Sequence, residues 1–218
     1  MRATDVRAIC WDVGGVFTNT PHAAIASLAG EHQIDVSALS DAIFGPFDVD
    51  TDHPWHRLER GELELREGWP LIETELANLG VDLTLHTVFR RISDSGDDRS
   101  EVVQLAREAH AKGIHNAIIT NNVREFADIG DGRGWHRWAP LDTMRVVADS
   151  SALGIRKPDP AIYRHTLREL DVDPHEAVFV DDTAVNVAAA ASLGMHGVLV
   201  GSDPGPALER VREIVGLS

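Results

Sequence analysis

The chain has little cysteine, few basic residues for its acid content, and no long apolar run. Its one cysteine, Cys10, cannot form an internal disulfide, which fits a reducing compartment. Cys10 lies in an apolar stretch with strand character, where a small buried side chain is expected rather than a reactive thiol. No segment is apolar over enough residues to span a bilayer, and the N-terminus lacks the pattern of a signal peptide. A cytoplasmic protein with no membrane partner is therefore expected. Only 20 Lys and Arg stand against 35 Asp and Glu, a formal net charge of −15. Such a field repels nucleic acid and anionic membrane surfaces, and an anionic substrate would need a local cation to overcome it. None of the 11 histidines has metal-ligand spacing with Cys or another His, which argues against zinc. Internal repeats, low-complexity tracts and coiled-coil patterns are missing too, and nothing marks an interface, which leaves monomer and homodimer both open.

What is present is an ordinary globular balance. The chain has 218 residues, 43% hydrophobic and 25% charged, enough for one sizeable core and a small second domain. The run Val6–Phe17 is apolar until it stops at Asp12, followed almost at once by Gly14 and Gly15. A buried parallel strand reads as a near-continuous hydrophobic run, so Asp12 belongs at a strand's carboxyl end, the edge where open α/β sheets bind ligands. Glycines there let the backbone turn sharply and lie close to a ligand.

From about Thr20 to Arg91 the spacing turns helical, with runs at Ala23–Leu28, Val36–Phe44, Trp55–Leu58 and Leu63–Leu79 broken at Gly45-Pro46, Gly61 and Gly80. Four or five short helices are expected. Strand and helix then alternate: a helix over Ser100–Lys112 closed by Gly113, strands at Ala117–Ile119, Arg145–Asp149, Ala177–Val180 and His196–Val200. Helices are expected after Asp159-Pro160, with Asp as N-cap and Pro at the first position, over Ala184–Leu193, and over Ala207–Val215. Alternation of this kind predicts an α/β fold: a doubly wound parallel sheet with an inserted α-helical domain. The boundaries are a core of 1–18 and 95–218 and an insert of 19–94.

Three strands end in polar groups: Asp12, Thr120-Asn121 and Asp181-Asp182. The loop Gly154–Pro160 can add the cation Lys157 at the same edge. Taken singly, each is a common turn; together they are the parts that a nucleophilic carboxylate needs. Asp12, the Gly14 carbonyl and Asp182 make a partial oxygen shell for Mg²⁺, which takes one or two carboxylates and keeps some water. The Thr120 hydroxyl with nearby amides can hold phosphate oxygens, and Lys157 can neutralise the transferring group and orient Asp12. Together these parts are compatible with covalent catalysis through an aspartyl-phosphate. Arg156 is expected to be an ion-pair partner, and the Trp135-His136-Arg137-Trp138 cluster a locally packed element or an interaction surface.

These residues resemble the haloacid dehalogenase superfamily, in the branch with a helical cap after the first motif. Asp12-Val13-Gly14-Gly15-Val16 is similar to the first motif, Ile119-Thr120-Asn121-Asn122 to the second, and Arg156-Lys157-Pro158-Asp159 to the third. Val180-Asp181-Asp182 with Asn186 is similar to the fourth, and Trp55…Leu58-Glu59-Arg60-Gly61 resembles the branch's cap helix. The resemblance implies a Rossmann-like core, Mg²⁺, and hydrolysis of a small phosphorylated metabolite through Asp12. It implies Asp12, Thr120 and Lys157 as catalytic, Thr120, Asn121 and Lys157 as substrate-binding, and Asp12, Gly14 and Asp182 as metal-binding. Asp181 would act through a water, with Asn186 fixing the acidic loop.

One position departs from the pattern. Most phosphatases of the family carry a second Asp two residues after the nucleophile as general acid/base, and here that residue is Gly14. The carbonyl role survives the change and the proton-transfer role does not, a loss typically worth roughly 10²- to 10⁴-fold. The proton is then expected from water or from an insert side chain, with Asp50, Asp52, His53 and His56 as candidates. Two other readings stand beside the phosphatase: a catalytically weak protein that binds a phosphorylated ligand or partner, and a haloacid dehalogenase, which has no need of an acidic pair.

Overall fold

The computed structural model describes residues 5–18, 20–94, 99–127 and 139–217. The Trp135–Trp138 cluster lies outside them. Five parallel strands form one sheet: β1 (Ala8–Trp11), β2 (His115–Thr120), β3 (Met144–Asp149), β4 (Ala177–Asp181) and β5 (His196–Leu199), in the order β3-β2-β1-β4-β5. Every residue of β1 is fully buried, because the first strand is central and covered on both faces. Its alternation divides the core. Ile9 and Trp11 pack with α6 (Ser100–Ala111) and α11 (Gly205–Val215), whereas Ala8 and Cys10 pack with α9 (Pro160–Leu170) and α10 (Ala184–Ser192). The indole N–H of Trp11 is satisfied by Asn116 Oδ1 at 3.0 Å, and Asn116 in turn donates to the Ala106 carbonyl at 2.7 Å.

Between β1 and α6 come α1 (His22–His32), α2 (Val36–Phe44), α3 (Pro54–Glu59), α4 (Leu65–Asn78) and α5 (Leu85–Asp94). They bury a cluster of their own, including Ile25, Leu39, Ile43, Trp55, Leu58, Trp69 and Ile72. Local signals set their starts: Asp35 caps α2 through the Ser37 and Ala38 amides, and Pro54 opens α3. The same logic holds at α9, where Asp159 caps Ala161 and Pro160 takes the first position.

The expected doubly wound α/β sheet is the observed one, with boundaries shifted by a few residues at most of the elements singled out in sequence. The sequence spacing does not mark out the helix α5 or two single-turn helices, α7 (Arg124–Ala127) and α8 (Ser150–Leu153). The short ones carry too few residues for a helical period to be visible. Among the described residues no helix is long and apolar enough to cross a membrane.

Candidate active site

Parallel register brings the candidate residues to one rim. Trp11 pairs with Ile118 on one side and Val180 on the other, so the chain leaves β1, β2 and β4 at the same level. The Asp12 amide still donates to the Val180 carbonyl at 2.9 Å, which carries the carboxylate just past the sheet. There Asp12, Asp181 and Asp182 converge, each offering an oxygen within 4.8 Å of the others. Lys157 Nζ lies 2.8 Å from Asp12 Oδ1 and 2.7 Å from Asp181 Oδ2, and is almost wholly buried.

Each group is held. Asn186 donates to both oxygens of Asp181 at 3.2 Å, and the Thr183 amide donates to one of them at 2.7 Å. Tyr163 O–H donates to the Asn186 carbonyl at 3.1 Å, which steadies the start of α10. The backbone of Lys157 is clasped by Asn121, whose Oδ1 accepts its N–H at 2.8 Å and whose Nδ2 donates to its carbonyl at 3.1 Å. That clasp commits the side chain of Asn121 to the lysine loop and leaves its backbone amide as the group it can offer a substrate. Thr120 is buried at the end of β2. Asn122 ties that end to β3 through Asp149 Oδ2 and Ser150 Oγ.

The two glycines of the first motif do different things. Gly15 has φ +72°, and a Cβ there would sit 1.9 Å from Asp182 Oδ2, so only glycine lets the acidic pair close over the turn. A Cβ at Gly14 would meet no heavy atom within 4 Å. The space where the general acid/base would stand is open.

Burial dominates the electrostatics. It pushes the Asp12 carboxyl up to about 7, opposed by Lys157 and reinforced by Asp181 and Asp182. Burial likewise raises Asp182 above the usual carboxylate range, with Asp181 adding to it. Burial pulls the Lys157 ammonium down, but Asp12 and Asp181 together outweigh it and hold it above the ordinary lysine value. Three carboxylates against one ammonium are an oxygen-only donor set with negative charge to spare, which fits a hard divalent cation such as Mg²⁺.

The insert's proton-donor candidates have other work. His53 Nδ1 accepts the Trp55 amide at 3.1 Å and caps α3. His56 Nδ1 accepts the Thr51 amide at 3.0 Å, and burial, then Arg156, drives this imidazole down to about 3. Asp50 is paired with Arg60 and with Arg156, and Asp52 is exposed. A neutral, buried imidazole has no proton to release near pH 7.

Several contributors were not legible in the sequence. Arg99 Nη1 donates to the Gly15 carbonyl at 2.7 Å and braces the turn from behind. Thr20 and Thr183 hydrogen-bond to the Asp182 carboxylate. Glu59 meets Arg156 across 97 positions of chain. Thr183 had a local signal, its place directly after the acidic pair, and the ion-pair role expected of Arg156 finds its partner in Glu59.

A parallel doubly wound sheet with an acidic, lysine-bearing rim at its carboxyl edge is the α/β class that binds ligands at that edge. Residues 6–194 match the haloacid dehalogenase-like hydrolases, and the chain belongs to that family. It is 27% identical over 215 residues to acyl-CoA dehydrogenase family member 10 of Mus musculus, covering 96% of this chain but 19% of that protein. It is 26% identical over 215 residues to a sesquiterpene phosphatase of Aspergillus oryzae, covering 98% of each. Its fold matches a family enzyme of Bacteroides thetaiotaomicron solved with magnesium and inorganic phosphate, at TM-score 0.62 and 14% identity over 90% of this chain and 95% of that one.

Proposed function

We propose that the chain is a Mg²⁺-dependent phosphomonoester hydrolase acting on a small phosphorylated metabolite, with Asp12 as nucleophile and residues 19–94 as a cap over the site. The observation that carries the reading is the junction of Asp12, Asp181 and Asp182 within 4.8 Å, with Lys157 Nζ 2.8 Å from Asp12. The full-length likeness to a phosphatase and the magnesium and phosphate of a fold neighbour support it.

Asp12, the Gly14 carbonyl and Asp182 would hold the ion, and Asp181, fully engaged by Lys157, Thr183 and Asn186, would reach it through water. When bound, Mg²⁺ supplies positive charge beside the phosphoryl oxygens. The ionised Asp12 oxygen attacks phosphorus, the ester P–O bond breaks, and its electron pair departs on the leaving oxygen. Lys157 keeps Asp12 aimed and offsets the repulsion between anions, which at about 4 Å and an effective dielectric of about 20 is roughly 4 kcal/mol. The Thr120 hydroxyl and the Asn121 backbone amide take non-bridging oxygens. Position 14 brings no proton, so the leaving oxygen takes one from solvent water. A second water then attacks phosphorus, releases inorganic phosphate and restores Asp12.

The test is a phosphate-release screen over sugar phosphates, nucleotides and aryl phosphates, with and without Mg²⁺, alongside Asp12→Asn. Mg²⁺-dependent release that the variant loses is expected. Release retained by Asp12→Asn would refute the assignment. The open space at Gly14 favours a second reading, a protein that binds a phosphorylated ligand without turnover. It predicts Mg²⁺-dependent phosphate binding without release from any ester in the screen.

A further inference from the structure

The loop bearing Lys157 faces two ways. Lys157 turns into the carboxylates of the core, and its neighbour Arg156, also buried, turns into the helical insert. There Arg156 Nε lies 2.7 Å from Glu59 Oε2 at the end of α3, and its Nη1 lies 3.4 Å from Asp50 Oδ1. Glu59 is not free to swing. Its other oxygen accepts the Trp55 indole N–H at 3.0 Å, and Trp55 is wedged against Phe44 and Phe89 at 5.2 and 5.8 Å between ring centres. The same seam is closed nearby, where a Cβ on Gly61 would stand 2.3 Å from the Ser151 carbonyl and where Glu125 Oε1 accepts the Leu65 amide at 2.6 Å.

We propose that Glu59 is a positioning residue for Lys157, acting through Arg156, so that the charge at the nucleophile is correctly placed only when the insert is seated on the core. The proposal rests on the phosphatase reading above and deepens it. Asn121 pins the backbone of Lys157 from the core side, and Glu59, with Asp50 as a second anchor, pins the residue before it from the insert side. A loop held at both ends keeps the ammonium between Asp12 and Asp181. Freed on one side, Arg156 becomes a buried cation without its main partner, and it must drag the loop toward water or toward the carboxylates that Lys157 now holds. Insert seating and the electrostatics of the site are thereby one event.

Calorimetric titration of inorganic phosphate in the presence of Mg²⁺ separates affinity per site from the fraction of competent sites. Glu59→Gln keeps the size and the acceptor for Trp55 but removes the charge; Glu59→Asp keeps the charge and loses reach. The expected result for Glu59→Gln is a phosphate Kd weakened roughly tenfold to a hundredfold at full stoichiometry, with kcat falling in parallel and Glu59→Asp retaining more of both. A purely structural Glu59 gives the opposite order, Gln above Asp, and that order or a wild-type Kd in Glu59→Gln overturns the proposal. Should Glu59→Gln not fold, Asp50→Asn decides: a weaker Kd at full stoichiometry is expected and an unchanged one refutes. A wild-type protein that binds no phosphate overturns both this inference and the phosphatase reading. One that binds and turns over while Glu59→Gln matches it overturns this inference alone.

Discussion

Restoring an acid at position 14 is the most informative single change. In Gly14→Asp the new Cβ meets no heavy atom within 4 Å, and Gly14 is not among the positive-φ glycines, so an L side chain fits the backbone. Replacing Gly where the conformation allows it stabilises by about 0.4–1 kcal/mol through the unfolded chain. Against this stands a fourth carboxylate beside Asp12, Asp181 and Asp182. Each like-charge neighbour about 6 Å away costs roughly 3 kcal/mol at an effective dielectric of about 20. That repulsion falls on the ionised form alone and, less what Lys157 and Mg²⁺ offset, favours the protonated state a general acid requires. Esters with poor leaving groups, such as alkyl phosphates, should then gain on the order of 10²- to 10⁴-fold in kcat/KM. Aryl phosphates, whose oxygen leaves without protonation, should gain far less. The assay is a series of phosphate esters graded by leaving-group pKa, run with Mg²⁺ on wild type and variant. The wild-type rates should fall steeply as that pKa rises, and the variant's slope should flatten. An equal slope in a folded, phosphate-binding variant would refute the claim that Gly14 is where proton transfer was lost.

Gly15→Ala should do the reverse of its neighbour. The left-handed φ costs about 1–2 kcal/mol and the overlap with Asp182 another 1–3, so a fall in Tm of roughly 5–15 °C with weakened Mg²⁺ binding is expected by thermal melt and titration. A Tm and a Mg²⁺ affinity equal to wild type would sink that account. Asp12, pushed up to about 7 by burial, is largely protonated below that pH and ionised above it. Mg²⁺ needs the ionised form, so it should raise Tm more at pH 8 than at pH 5.5, and an equal shift at both would contradict the burial argument. Cys10 is fully buried in β1 and its thiol is raised to about 12 by that burial, so a thiol reagent should label it only at the rate of unfolding.

The parts of this protein that rest on local pattern were readable in order along the chain. The buried runs ending at Asp12, Thr120 and Asp181, the Asp159-Pro160 start of α9 and the helical stretch after residue 20 all follow from periodicity, capping and strand hydrophobicity, which act over a few residues. The candidate site was legible because strands in one parallel sheet present their carboxyl ends to one edge, so polar residues closing separate strands must meet. What the pattern left open were bonds whose partners are far apart in sequence. The commitment of the Asn121 side chain to Lys157, the brace from Arg99 to Gly15 and the locking of His53 and His56 within the insert depend on how packed elements are rotated and spaced. Residue order states which chemical groups a chain owns and which strand each one ends. Only the packed molecule decides which of those groups are already occupied, because occupation is set by distances of about 3 Å between residues that nothing in the linear pattern joins.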